Sequence, residues 1–248
     1  MTTVALLGGG KMGSALLAGL LAAGWAPQDC AVAEIDPERR AALADERPGV
    51  RVVADAADAV ADAEVIVVAV KPGSVAETLA AAEPAVGPDA LVCSIAAGVR
   101  IASIEAVVPG RPVVRAMPNT PAVVGCGASA IAGGAHAGPS HLDLAERVLG
   151  AVGTVVRVDE PMLDAVTGLS GSGPAYVFLL AEALMAGGER CGLPPDVVRD
   201  LVVQTILGAA TLLARDPSGP EALRAAVTSP GGTTEAAIRE LEDRGARE

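Results

Sequence analysis

Aromatic side chains are almost missing: Trp25, Tyr176 and Phe178 are the only three in 248 residues. A chain so poor in aromatics offers no platform on which nucleobases could stack. Basic residues are also scarce. Lys and Arg number 18 against 30 Asp and Glu, a formal net charge of −12. Phosphate neutralisation needs clustered cations, so a nucleic-acid partner is excluded as an expectation. Histidine occurs twice, at His136 and His141, around a Gly-Pro turn and with no neighbouring ligand set. They read as loop or surface residues, and no metal site is expected. Cys30, Cys93, Cys126 and Cys191 are widely spread, without a C-x-x-C pair. They are expected to be buried free thiols in a reducing compartment. The long apolar stretches are broken, by Glu182 after Pro174 and by Gln204 after Asp200, so no uninterrupted membrane span is expected. The N-terminus lacks a basic segment and Lys11 interrupts its apolar run, which argues against a secretory signal. These absences together point to a soluble cytoplasmic protein.

What is abundant is small and apolar. Hydrophobic residues make up 51% of the chain, enough for one large or two modest cores. The run Val4-Ala5-Leu6-Leu7 leads into Gly8-Gly9-Gly10-Lys11-Met12-Gly13, and then into the apolar helix pattern from Ser14 to Leu21. The order strand, G-x-G-x-x-G, helix is a physical device. The first glycine permits a tight turn and the second lets a pyrophosphate approach the backbone. The third lets helix and strand pack closely, with the helix amides facing the phosphates.

Strand and helix signals alternate through the first two-thirds of the chain. Strands are expected at Cys30 to Glu34, Arg51 to Ala54, Glu64 to Val70, Leu91 to Ile95, Val113 to Met117, Ala128 to Ile131 and Thr154 to Val158. Asp36-Pro37 is a helix cap with proline at the first helical position, and a further helix is expected from Ser140 to Leu149. The fold class is α/β, a Rossmann-like doubly wound sheet. After Asp159 the strands stop. Helices are expected over Met162 to Leu169, Pro174 to Met185, Pro195 to Ala214, Glu221 to Ala226 and Thr234 to Leu241. Residues 1–159 would be the NAD(P)-binding domain and 160–248 an all-α dimerisation and substrate-binding domain. The Pro195 helix is apolar on most of its surface and needs burial, most simply against a second subunit.

Ligands of open parallel sheets bind at the carboxyl ends of the strands. Three such ends carry unusual residues: Val70-Lys71-Pro72, Ala96-Ala97-Gly98 and Met117-Pro118-Asn119-Thr120. Glu34 ends the second strand, where a carboxylate accepts from a ribose 2′-OH and repels a 2′-phosphate. Arg39 and Arg40 read equally as 2′-phosphate ligands or as solvated helix residues. In the helical part, Ser170-Gly171-Ser172-Gly173-Pro174 and Ser229-Pro230-Gly231-Gly232-Thr233-Thr234 read as small-residue loops that open helices. Each would present free N–H groups and hydroxyls to a carboxylate or phosphate, or serve as a plain helix cap.

The chain resembles the pyrroline-5-carboxylate reductase family. The motifs that carry the resemblance are Gly8 to Gly13, Ala69 to Pro72, Ser94 to Gly98, Arg115 to Pro121, Ser170 to Tyr176 and Thr228 to Thr234. They span nearly the whole chain in family order. The resemblance implies a Rossmann domain followed by a helical domain that interlocks with a partner's. The implied assembly is a homodimer, which in the family often builds decamers. It further implies NADPH- or NADH-dependent reduction of 1-pyrroline-5-carboxylate to L-proline. Gly8, Gly10, Lys11, Met12 and Gly13 would hold the pyrophosphate. Ala69, Val70, Lys71, Pro72, Ala96, Ala97 and Gly98 would line the ribose and nicotinamide, with Asn119 among the coenzyme contacts. Gly231, Gly232, Thr233 and Thr234 would bind the substrate carboxylate, with Thr234 also near the ring nitrogen as the catalytic residue. Ser170, Gly171, Ser172 and Gly173 would help form that pocket across the dimer interface. The family usually runs on for about one more helix beyond the point where this chain reads Gly245-Ala246-Arg247-Glu248.

Rival readings leave different traces. A β-hydroxyacid dehydrogenase would place a lysine one helical turn beyond the second glycine-rich loop, where Pro174-Ala175-Tyr176-Val177-Phe178 offers none. Other NADP oxidoreductases that share the first domain would lack the Ser229 to Thr234 motif. A nucleotide sensor without catalysis would bind NAD(P)H but not oxidise it with a cyclic imine.

Overall fold

Apolar runs and capped helices alternate in space as they do along the chain. The computed structural model describes residues 3–247. Met1, Thr2 and Glu248, the outermost residues of the two expected domains, lie outside the described residues. The chain divides into two units, Met1–Tyr176 and Val177–Glu248.

The first unit runs β1 (Val4–Leu7), α1 (Lys11–Ala22), β2 (Cys30–Ala33), α2 (Pro37–Glu46), β3 (Arg51–Val53), α3 (Ala56–Val60) and β4 (Val65–Val68). It continues with α4 (Val75–Ala82), β5 (Leu91–Ser94), α5 (Ile101–Glu105), β6 (Val113–Met117), β7 (Gly127–Gly133), α6 (Pro139–Gly150) and β8 (Gly153–Arg157). One sheet holds all eight strands in the order β3-β2-β1-β4-β5-β6-β7-β8. β1 and β4 are apolar throughout because helices cover both faces of the sheet. Alternate residues of β1 show this directly. Val4 and Leu6 join Leu16, Leu20, Leu43 and Leu149 on one face. Ala5 and Leu7 join Val60, Leu79 and Ile104 on the other. Each of these large buried side chains contributes about 1.5–3 kcal/mol by leaving water. Asp36 caps α2 as expected, its Oδ1 accepting from the amides of Glu38 and Arg39.

β7 runs antiparallel to β6, and β8 parallel to β7. A parallel partner needs a crossover of about a dozen residues or more. Pro118–Cys126 is shorter and holds only a 3-10 turn, so the chain reverses instead. Cys30 and Cys93 sit in the core, where burial pushes their thiols up to about 11 and about 12, with Asp29 adding to the effect at Cys30. Cys126 and Cys191 are exposed, against the expectation that all four are buried. Both fall in connections between elements, beside the left-handed Gly125 and Gly192, rather than on core-facing strands.

After β8 the chain forms a 3-10 turn, then α7 (Leu163–Val166), a π-helical turn Thr167–Gly171, and α8 (Gly173–Arg190). These make a single rod from Glu160 to Arg190. The expected loop at Ser170–Gly173 is therefore absent, and Ser172 N–H donates to Thr167 O at 2.8 Å inside the rod. Small side chains let the helix pass through residues that read as a loop.

The second unit contains the end of α8, then α9 (Pro195–Arg215), α10 (Gly219–Ala226) and α11 (Thr233–Asp243). Gly188 lets α9 close in: a Cβ there would lie 3.0 Å from a Val198 methyl. Among the described residues of this unit, only Val198 and Val202 are buried. Leu179, Leu207 and Leu212 are 58–65% exposed. The rod and α9 are long and apolar enough to cross a membrane by length and composition alone, contrary to the reading of Glu182 and Gln204 as interruptions. A face this apolar calls for a partner surface. Light scattering at micromolar concentration should give at least two copies, and Leu207→Glu should shift the population toward monomer. A monodisperse wild-type monomer would contradict this.

Candidate active site

The strand order reverses beside β1, which lies between β2 and β4. Ligands of open α/β sheets bind at such a reversal, outside the carboxyl ends of the strands, and the glycine turn follows the carboxyl end of β1. Gly8 has φ +109° and its N–H donates to Ala33 O at 2.9 Å. A Cβ on Gly8 would lie 2.9 Å from Ala69 O, and one on Gly13 only 2.1 Å from Gly8 O. These two glycines are demanded by the fold itself. A Cβ on Gly10 would meet nothing within 4 Å. The fold does not need glycine there, so the open space fits an approaching phosphate. Gly10 caps α1 with no side-chain hydrogen bond, and the first turn holds no acid. Its amides and dipole are free for an anion. Lys11 is exposed beside them, while the Met12 side chain packs against the core.

Glu34 stands beside this turn. Its Oε2 accepts from Gly9 N–H at 2.9 Å and its Oε1 from Asp36 N–H at 3.0 Å. Arg39 donates from Nε to Gly9 O at 3.1 Å and from Nη2 to Ser14 Oγ at 2.7 Å. Arg40 donates to Glu34 O at 2.8 Å. The reading as solvated helix residues does not hold: both arginines are half-buried and tied to backbone around the turn. Ile35 follows Glu34 and is 87% exposed, an apolar side chain that the motif-based reading passed over.

The neighbouring strand ends line up along the same edge. Ala69 N–H donates to Leu7 O at 2.8 Å, which places Ala69 and Val70 against Gly8. Lys71 and Pro72 are exposed beyond them. Ser94 is fully buried, and its Oγ accepts from Ala96 N–H at 3.3 Å. Ala96 is buried, while Ala97 and the left-handed Gly98 are exposed. Asn119 is nearly buried and both ends of its amide are engaged. Oδ1 accepts from Ala128 N–H at 2.8 Å, and Nδ2 donates to Ser170 O at 3.0 Å. Pro174 has no N–H for that carbonyl, so Asn119 supplies the missing donor. Ser170 Oγ turns back to Val166 O at 3.2 Å. Met117 Cε lies 2.6 Å from where a Gly171 Cβ would be, so the rod seats on the end of β6 through glycine.

Sequence patterns did not reveal the charged pair beneath this seat. Arg115, buried on β6, meets Glu160 at 3.2 Å, and the same Glu160 Oε1 accepts from Ile101 N–H at 2.7 Å. An arginine inside an apolar strand was the available signal.

In the second unit the Ser229–Thr234 turn forms as expected. Gly231 has φ +70°, and Gly232 caps α11 without a side-chain hydrogen bond. Ser229 O accepts from Gly232 N–H at 3.0 Å. Glu235, also overlooked in the sequence, takes the Gly231 N–H at 2.8 Å. The first-turn amides from Thr233 onward keep no intrahelical acceptor. Thr234 is half-buried and does not cap the helix.

A dinucleotide turn at the switch point of this sheet, followed by an all-helical unit, defines an NAD(P)H-dependent oxidoreductase. Residues 3–98 match the model described as NADP oxidoreductase coenzyme F420-dependent. Residues 160–248 match the one described as pyrroline-5-carboxylate reductase dimerisation. A pyrroline-5-carboxylate reductase of Mycobacterium tuberculosis is 45% identical, over 100% of this chain and 91% of the relative. The solved structure of a pyrroline-5-carboxylate reductase from Coxiella burnetii superposes with TM-score 0.94 at 35% identity, covering 99% of this chain and 92% of that one. The Plasmodium falciparum pyrroline carboxylate reductase, solved with NADP bound, gives TM-score 0.86 at 26% identity, over 99% and 91% of the two chains. The chain belongs to the pyrroline-5-carboxylate reductase family.

The glycines separate experimentally. Gly10→Ala should change stability by less than about 1 kcal/mol yet weaken NADH and NADPH by at least about tenfold, since its methyl stands where phosphate enters. Gly13→Ala should lower the melting temperature as well, because backbone must move. Unfolding curves and coenzyme titrations on the same samples check this; normal coenzyme affinity in Gly10→Ala would remove Gly10 from the site.

Proposed function

We propose that the chain reduces 1-pyrroline-5-carboxylate to L-proline with NADH or NADPH, the last step of proline biosynthesis, in the cytoplasm. The observation that carries the reading is the uncapped start of α11 at Gly232-Thr233-Thr234, in a chain that also holds a dinucleotide turn. Residues 1–159 act as the coenzyme domain and 160–248 as the dimerisation and substrate domain. The apolar rod and α9 pair with a second copy rather than with lipid, giving a homodimer that can build a decamer. The dimerisation match over 160–248 supports this pairing.

The amides of Gly10, Lys11, Met12 and Gly13 hold the diphosphate, helped by the α1 dipole, while Gly8, whose N–H is bound to Ala33 O, shapes the turn. Glu34 accepts from the adenosine ribose, and the bare Ile35 side chain covers the adenine. Ala69 to Pro72 and Ala96 to Gly98 flank the second ribose and nicotinamide. Asn119 serves from beneath, through its brace on Ser170. When bound, the nicotinamide supplies the hydride. The amides of Thr233 and Thr234 receive the substrate carboxylate, since Gly231 N–H is taken by Glu235. The Thr234 hydroxyl reaches the carboxylate or ring nitrogen. In Ser170–Gly173, the Ser172 hydroxyl is the group directed to substrate, because that of Ser170 is bound to Val166 O. A protonated imine is already electrophilic, so the chemistry rests on orientation and needs no histidine acid.

The purified protein should oxidise NADH or NADPH with pyrroline-5-carboxylate and form proline without added metal. Turnover of hydroxyacids instead of the imine would overturn the assignment. Thr234→Ala removes a hydroxyl and leaves the backbone donors. Its kcat/KM for the imine should fall by about 1.5–3 kcal/mol, or ~10- to 150-fold, with coenzyme affinity unchanged. A stability loss with normal kinetics would reject the substrate role.

Glu34→Ser should move relative kcat/KM toward NADPH by ~5- to 150-fold, through loss of a charged acceptor and of repulsion toward a 2′-phosphate. An unchanged ratio between the coenzymes would limit Glu34 to holding Gly9.

A further inference from the structure

The backbone of Gly9 is gripped on both sides by the segment that follows β2. Its N–H is held by Glu34 and its carbonyl by Arg39. Gly9 is buried, and a Cβ there would lie 2.4 Å from Leu43 Cδ1 on α2. The turn is thus docked directly on α2, with no room for a side chain between them. The half-buried Arg39 guanidinium spans two places at once. It reaches Gly9 O just before α1 and Ser14 Oγ within the first turns of α1. Ser14 Oγ–H itself donates to Gly9 O at 2.8 Å. One rigid fork and one hydroxyl therefore close a triangle behind the helix N-terminus.

We propose that Arg39 is a positioning residue for the coenzyme. It holds the Gly10, Lys11 and Met12 amides in the register that a diphosphate requires, without touching the diphosphate. This rests on the reading of Gly8–Gly13 as the coenzyme site. The geometry commits two of the five guanidinium N–H donors, one on Nε and one on Nη2, to Gly9 O and Ser14 Oγ rather than to a phosphate. It also separates arginine from lysine: a planar fork can bridge two fixed acceptors, whereas an ammonium is a point donor.

The test is calorimetric titration of NADH and of NADPH into the full chain in its natural assembly, for wild type, Arg39→Ala, Arg39→Lys and Ser14→Ala. Thermal unfolding and steady-state kinetics accompany it. Arg39→Ala should weaken both coenzymes by the same factor, about tenfold, with kcat at saturating coenzyme and KM for the imine unchanged. Arg39→Lys should recover only part of that loss. Ser14→Ala should weaken both coenzymes equally, by about threefold, and it decides the matter if Arg39→Ala does not fold. Loss confined to NADPH would make Arg39 a direct phosphate ligand and overturn the proposal. So would full rescue by lysine, which would point to charge alone, or a lowered melting temperature with unchanged coenzyme affinity. If wild type binds neither coenzyme, the reading of the glycine turn fails and this inference fails with it; if wild type binds and the variants match it, only this inference fails.

Discussion

Proline 174 cannot supply the N–H that the Ser170 carbonyl would receive in a regular helix, and much of the architecture follows from how that vacancy is filled. The donor comes from Asn119, at the end of β6, whose other amide end secures the start of β7. One side chain therefore reads two backbone positions, one on the sheet and one on the helical rod. The π-helical turn beside it shifts the register of the rod at the point where it meets the carboxyl edge. Such bulges concentrate at functional sites because they break the helical ladder without breaking the helix. Arg115 and Glu160 reinforce the same junction from below. The seat of the rod is thus set by hydrogen bonds with definite directions, and hydrophobic contact alone would leave it free to slide.

The carboxyl edge illustrates how a binding surface is assembled from backbone. Gly8 and Gly13 serve the turn, while Gly10 leaves space that nothing in the chain occupies. The charged groups nearby act mainly on peptide groups. Glu34, Arg39 and Arg40 each bond main-chain atoms of the β1–α1 or β2–α2 connections. A rigid loop of this kind suits a reaction whose main demand is orientation, since little reorganisation is needed when an anion arrives.

The inner strands and the glycine turn were legible in the sequence because their causes are local. A strand covered on both faces must be apolar throughout, as Val65–Val68 is, and the cap at Asp36 with Pro37 is a contact between near neighbours. The reversal of β7 was less legible, since it depends on how much chain separates two strands rather than on their composition. The rod at Ser170–Gly173 was misread as a loop because serine and glycine are loop residues by habit, and the donor that stabilises them lies 51 positions away in the chain. Glu235 escaped for a similar reason, and Arg39 reads in the sequence as a 2′-phosphate ligand or a solvated helix residue but not as a residue bonded to the glycine turn. A charged residue on a helix reads as solvated until the turn that it bonds is placed beside it.

The helical unit has almost no interior of its own: Val198 and Val202 are its buried residues among those described. Its free energy of folding is therefore bound up with that of association, and mass action enters the stability of the fold itself. Dilution must loosen α8 and α9 before it affects the sheet, whose core is complete within one chain. The uncapped turn before α11 belongs to the unit that depends on association, so the substrate binding proposed there would depend on protein concentration as well as on sequence.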